Sequence, residues 1–263
     1  MYGRWPELGL PKHWLYRWLL RHADVLTVQC EANQVAARRL FPDAQVQIVR
    51  FGTDINKVVP VKPQPLHHPI RILSLGRDMH RDWATLIGAV GHLPEFEVRI
   101  GARKIDRRLA ANGGNFKLVK PPSEQLAELY QWADLVVIAL KPNSHISGIT
   151  VLTEATLFGV PVVCTDTGGL QQYFDDKCVR YVPVGDAEAM RRAINELVAN
   201  ASLRFELARN AQAHLIDSDL STRARARRLA SLSRALLSNN LEESGEGHHA
   251  NPRLSARTPN DTS

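Results

Sequence analysis

The chain has 263 residues, 44% of them hydrophobic and 23% charged, which is enough apolar material for one large core or two small ones. No apolar run reaches bilayer length, and the opening MYGRWPELGLPKHW lacks the basic, apolar and small-residue order of a signal peptide, so the expected location is the cytoplasm. A net charge of +6 and a pI near 9.4 favour an anionic partner, a class that spans nucleic acid, phospholipid and phosphorylated ligands.

In chain order, HWLYRWLLRHA reads as a helix with Trp14, Leu15, Trp18 and Leu19 in one stripe beside Lys12, Arg17 and Arg21. Such a face packs on its own domain, or lies on a membrane surface as basic Trp-bearing helices do. ADVLTVQC and AQVQIVRFG read as strands flanking the helix EANQVAARRLF. The segment PVKPQPLHHP, with its four prolines, favours extended backbone and predicts an interdomain linker over residues 61–69.

From residue 70 strands and helices alternate. IRILSL is a strand, and DWATLIGAV a helix with Trp83, Leu86, Ile87 and Val90 on one face. EFEVRI and FKLVK are strands, and SEQLAELYQWA a helix capped by Ser123. DLVVIAL and PVVCTD are apolar runs of the kind buried on both faces of a sheet, with the helix ITVLTEATLFG between them. VRYVP is a shorter strand. DAEAMRRAINELVANA is a helix capped by Asp186, with Met190, Ala193, Ile194, Leu197, Val198 and Ala201 as its buried stripe. Alternating strands and helices with right-handed crossovers predict an α/β fold: a doubly wound, Rossmann-like parallel sheet over residues 70–217.

STRARARRLASLSRALL predicts a helix over 218–237. Its arginines at 223, 225, 227, 228 and 234 could face nucleic acid, but Leu220, Ala224, Leu229, Leu232 and Leu236 give it a packing face and aromatic interleaving is absent, so no nucleic-acid partner is expected. Residues 238–263 are nearly devoid of apolar side chains and predict a disordered tail. Cys30, Cys164 and Cys178 are too few and too scattered for a disulfide framework or a zinc site.

In a doubly wound sheet, ligands bind at the carboxyl ends of the strands, where helix N-termini offer free N–H groups. Two stretches fit. In LSLGRDMHRDW, Gly76 allows close approach, and Arg77 and Arg81 offer the planar fork suited to phosphate; the competing reading is a solvated loop face. In SHISGITVLTEATLFG, Gly148 frees the backbone so that the amides of Ile149, Thr150 and Val151 point at an anion. Glu154, one turn in, can accept hydrogen bonds from vicinal hydroxyls such as those of a ribose. The alternative is a carboxylate that merely complements the helix dipole; the scarcity of other polar bulk on that helix favours the ligand role.

The pieces HADVLTVQCEANQVAARRLFPDAQVQIVRFGTDINKVVP, IRILSLGRDMHRDWATLI, LAELYQWADLVVIAL and GITVLTEATLFGVPVVCTDTGGLQQYF resemble, in order and spacing, retaining GT-B glycosyltransferases of the family 4 (group 1) type from about residue 22 to 235. The resemblance implies transfer from a nucleotide-diphosphate sugar to a glycan or lipid-linked acceptor with retained configuration, in polysaccharide or glycoconjugate synthesis. It puts Gly76 and Arg77 along the diphosphate, Arg81 where the family usually has a Lys, and Glu154 on the ribose as the second acid of a Glu, seven residues, Glu signature. The first acid of that signature falls on Ile146, so sugar recognition differs here, passes to the backbone, or is lost. The alternative function is a non-catalytic nucleotide-sugar-binding module or an inactive truncated glycosyltransferase.

Residues 1–60 resemble only the last part of the family's acceptor-side domain. The expectation is therefore a chain that binds donor but transfers little unless a partner chain supplies the rest, with peripheral contact at the inner membrane face through the Trp-bearing helix. No Asp-x-Asp motif lies near the site, and Asp175 and Asp176 read as a solvated turn, so no obligatory metal or other cofactor is expected.

Overall fold

The computed structural model describes residues 9–102, 114–120 and 125–246. The expected cap Ser123 and the last part of the expected tail, residues 247–263, lie outside them. Among the described residues, no helix is long and apolar enough to cross a membrane. They divide into two units, one ending at Arg225 and the other beginning at Ala226.

The first unit opens with helix α1 (Leu10–Leu20), whose first turn carries Pro11 where no intrahelical N–H is needed. Strand β1 (Val25–Val28), helix α2 (Glu31–Leu40) and strand β2 (Gln45–Ile48) form one βαβ unit with a parallel two-stranded sheet. Leu26, Val28, Ala37, Phe41 and Val46 make its small core. The stripe expected on α1 faces outward: Trp14 is 73% exposed and Trp18 53%, with Leu15 and Leu19 also exposed.

The Pro-rich stretch has no regular structure but is fastened down. Gln212, itself buried, donates to the Val59 and Thr156 carbonyls at 2.7 and 2.9 Å and accepts from the Val61 amide at 3.3 Å. Asp134 accepts from the His67 and Arg71 amides.

A six-stranded, all-parallel sheet follows: β3 (Ile70–Gly76), β4 (Phe96–Ala102), β5 (Phe116–Leu118), β6 (Leu135–Ile138), β7 (Val162–Thr165) and β8 (Arg180–Val182), in spatial order β5-β4-β3-β6-β7-β8. Counted within the sheet this is 3-2-1-4-5-6, the doubly wound order, and its direction reverses between β3 and β6. Side chains alternate across the strands. Leu135 and Val137 enter one core with α3 (Trp83–Val90) and α6 (Ala187–Ala199); Val136 and Ile138 enter the other with α4 (Leu126–Trp132), α5 (Ile149–Leu157) and α7 (Ala201–Asp217). Asp82 and Asp186 cap α3 and α6 by accepting from Thr85 and Ala189 amides at 3.2 and 2.8 Å.

Three expectations change. Ala201 is exposed and Val198 only half-buried, because Asn200 ends α6 and caps a new helix, α7, accepting from the Leu203 amide at 2.9 Å. The C-terminal helix α8 runs from Thr222 to Glu246, into residues expected to be tail. Along it Ala224 is buried but Leu229 is exposed. The three cysteines are free and buried. Ahead of α8, Thr53 and Ser221 form a parallel bridge, with Thr53 N donating to Leu220 O at 2.9 Å and Thr222 N to Thr53 O at 2.8 Å, so the chain returns to the segment after β2.

Candidate functional site

The reversal between β3 and β6 leaves a crevice at their carboxyl ends. Its roof is a strap, residues 77–82, that pairs with the backbone leaving β6. Asp82 N donates to Ala139 O at 2.9 Å and Lys141 N to His80 O at 2.8 Å, with an antiparallel bridge from Arg81 to Leu140. Leu140 N in turn donates to Thr165 Oγ1 at 3.1 Å, which ties the strap to β7.

Arg81 lies between Gly76 and Gly148 at the crevice. It is 6% exposed, and its side chain lies so close over Gly76 that a Cβ there would stand 1.8 Å from Nε; only glycine admits it. On the far side Nη1 comes within 3.3 Å of the point a Cβ of Gly148 would occupy, and Gly148 has φ +91°, a left-handed conformation that suits glycine. The guanidinium is badly paired for a buried charge. Among the described residues Nε and Nη1 have no hydrogen-bond partner, and the nearest carboxylate oxygen, Asp78 Oδ2, is 3.6 Å from Nε, too far for a hydrogen bond. Burial pulls its pKa below the usual arginine range against the opposing pull of Asp78, yet arginine stays charged. A desolvated, under-partnered cation is costly unless an anion completes it.

Helix α5 begins beside it. Its Gly148 carbonyl takes the Leu152 amide at 2.9 Å, while the Ile149 amide turns back to Ile146 O at 3.2 Å. Of the three amides expected to face an anion, that of Ile149 is therefore engaged in the turn, and those of Thr150 and Val151 stand in the helix's first turn, where no intrahelical acceptor exists. Ile146 is buried in the core, so this loop offers backbone and Ser147. Arg77 is exposed on the strap.

Glu154, half-buried on α5, meets a residue the sequence reading did not single out. Tyr130, at the end of α4 and 1% exposed, donates from its hydroxyl to Glu154 Oε2 at 2.7 Å and stacks on Phe158 at 5.4 Å. Burial raises the Glu154 carboxyl above its usual range, and the Tyr130 hydrogen bond offsets this in part. Burial, then the neighbouring carboxylate, pushes the Tyr130 hydroxyl far up, so it remains a donor. Arg81 and Tyr130 sense each other electrostatically. Gly76, Arg81, Gly148 and Glu154 thus converge, as the sequence pattern expected, at one end of the sheet. The signal for Tyr130 was faint: one aromatic in an amphipathic helix reads as core.

A cavity of about 690 Å³ lies elsewhere. It runs under the Pro-rich stretch beside Asp134 and Pro161, at the amino ends of β6 and β7, opposite to the crevice. The under-partnered cation and the helix N-terminus both belong to the carboxyl-end crevice, which decides between the two.

Residues 78–200 match the family described as glycosyl transferases group 1. Over that stretch the chain is similar to group 1 glycosyl transferases. It is 27% identical, over 88% of its length, to the D-inositol 3-phosphate glycosyltransferase of Corynebacterium urealyticum. It is 28% identical, over 65%, to the lipopolysaccharide core biosynthesis glycosyltransferase LpsE of Rhizobium meliloti. The chain spans 61% and 53% of those relatives' lengths. Among solved structures, sucrose-phosphate synthase of Thermosynechococcus elongatus has a TM-score of 0.75 at 20% identity, with 89% of this chain and 63% of that one covered. HepE of Anabaena, solved with UDP and glucose, has 0.71 at 16%, with 88% and 68% covered. The chain shares with these structures the Rossmann-like half of the GT-B fold, preceded by a βαβ unit.

Proposed function

We propose that the crevice binds a nucleoside diphosphate sugar and that the protein containing this domain transfers the sugar, with retained anomeric configuration, to a glycan or lipid-linked acceptor. The observation that carries the reading is the buried Arg81 guanidinium, with two unpartnered nitrogens beside a helix N-terminus at the reversal of strand order. A diphosphate there would complete the arginine's hydrogen bonds and meet the Thr150 and Val151 amides, with Arg77 reaching it from the strap. Glu154, oriented by Tyr130 through Oε2, offers Oε1 to a ribose hydroxyl.

Cleavage of the glycosidic bond builds negative charge on the leaving diphosphate and positive charge on the sugar. Fixed cations and amides aimed at the former lower the barrier, and positioned donors of this kind are worth about 3–4 kcal/mol each in other enzymes. HepE's crystallisation with UDP and the names of the curated relatives support this class of donor and acceptor. The bare face of α1 supports a contact there with further polypeptide or a membrane surface.

The second reading is a domain that holds donor without transferring it, favoured by the burial of Ile146, which leaves the α5 loop without a carboxylate. Purified chain incubated with radiolabelled UDP-, GDP- and ADP-sugars and with lipid and oligosaccharide acceptors separates the two. Labelled acceptor of retained configuration supports the transferase, retained donor without product supports the binding module, and neither outcome removes both.

A further inference from the structure

Asp78 is at odds with the electrostatics of an anion site. It stands on the strap between Arg77 and Arg81, and its oxygens accept from Ser147 Oγ at 3.1 and 3.0 Å and from the His80 amide at 2.9 Å. Ser147, 4% exposed, immediately precedes Gly148, so this contact carries the carboxylate across the crevice mouth to the start of α5. A carboxylate there repels a phosphate, and at 3.6 Å it does not serve as the arginine's hydrogen-bond partner.

It is also not used up. The side chain is 38% exposed, and a carboxylate offers about four acceptor positions, more than Ser147 and His80 occupy. Residues 139–151 contain no Asp or Glu, and Ile146 points into the core. Asp78 is thus the carboxylate that the strap and the α5 loop together present at the crevice mouth. Ser147 Oγ holds that carboxylate at 3.0 Å, one residue before the helix N-terminus where a phosphate would bind.

We propose that Asp78 determines sugar specificity: its carboxylate, held by Ser147, accepts a hydrogen bond from a hydroxyl of the sugar carried on the terminal phosphate. The proposal rests on the nucleotide-sugar reading above. A role limited to capping the strap turn makes a different prediction, because serine and asparagine at position 78 can still cap it.

Calorimetry on the full chain distinguishes them. The nucleotide that binds best among UDP, GDP and ADP is compared with its glucose, galactose, mannose and N-acetylglucosamine conjugates, for wild type, Asp78→Ser and Asp78→Asn. Wild type is expected to prefer at least one conjugate over the bare diphosphate. Asp78→Ser is expected to lose about tenfold or more of that preference, the scale of one hydrogen bond to a charged group, while binding the bare diphosphate as well as or better than wild type. Asp78→Asn is expected to lose it in part. Equal weakening of both ligands, no change in either, or a wild type indifferent to the sugar overturns the role of Asp78 and leaves nucleotide binding standing. A wild type that binds no diphosphate and no conjugate overturns both.

Discussion

Tyr130 and Glu154 share one hydrogen bond of 2.7 Å between a buried helix end and the helix that opens on the crevice. The pair sets the charge state of the proposed ribose reader. Because burial raises the Glu154 carboxyl, the folded protein holds that proton more tightly than the unfolded chain does. The group therefore favours folding only at acid pH, and that contribution is lost as pH rises through the folded pKa. Glu154→Gln is expected to melt at the same temperature as wild type or higher at neutral pH, with the gap closing below the unfolded value of about 4.3. Thermal melts across that range check it; a variant that is less stable at neutral pH than in acid, relative to wild type, contradicts the sign.

Removing the hydroxyl tests the same pair from the other side. In Tyr130→Phe the carboxylate loses its donor, its pKa rises further, and diphosphate binding is expected to fail at a higher pH than in wild type. A titration series over pH reads this directly; a uniform loss of affinity with an unmoved pH profile points to a packing role alone.

Gly76 and Arg81 are predicted to couple. Alanine at 76 drives the arginine out of its slot, and overpacking of this kind costs about 1–3 kcal/mol. In the double variant Gly76→Ala, Arg81→Ala the added methyl has space, so most of the stability cost of Gly76→Ala is expected to vanish. Chemical denaturation of the four proteins gives the coupling energy, and simple additivity would mean that the arginine does not lie over Gly76 in solution.

Gln212 fastens the Pro-rich stretch to α5 through the backbone of Val59, Val61, Thr156 and Leu157. Gln212→Leu leaves the Val59 and Thr156 carbonyls and the Val61 amide without that partner, and is expected to cost about 1–3 kcal/mol. Cleavage of the stretch by added protease should rise in parallel. A variant as stable and as protected as wild type would show that water replaces the glutamine without loss.

The sheet was legible because its strands are short apolar runs whose neighbours alternate between two cores, a pattern that local sequence carries. Helix α7 was not: its buried positions, Leu207, Ala208, Ala211, Gln212 and Leu215, include two alanines and a glutamine, too weak a stripe to stand out, and its cap Asn200 sits where the stripe of α6 seemed to continue. The reach of α8 to Glu246 was missed because scarce apolar residues argue against a core, not against a helix. Gly76, Arg81, Gly148 and Glu154 could be named from turn and helix-start chemistry. Tyr130 pairing with Glu154 and Ser147 pairing with Asp78 join residues 24 and 69 positions apart, and only the folded sheet brings those together.

Arg81 waits for an anion, and calorimetric titration of wild type and Arg81→Met with UDP, GDP and ADP, paired with melts of each free protein, tests this. Methionine removes the charge but keeps much of the volume. Wild type is expected to bind at least one diphosphate, Arg81→Met to lose about tenfold or more of that affinity, and the free variant to be as stable as wild type or more so, since a poorly paired buried cation has gone. A variant that binds as tightly as wild type, or a wild type that binds none of the three, would contradict it.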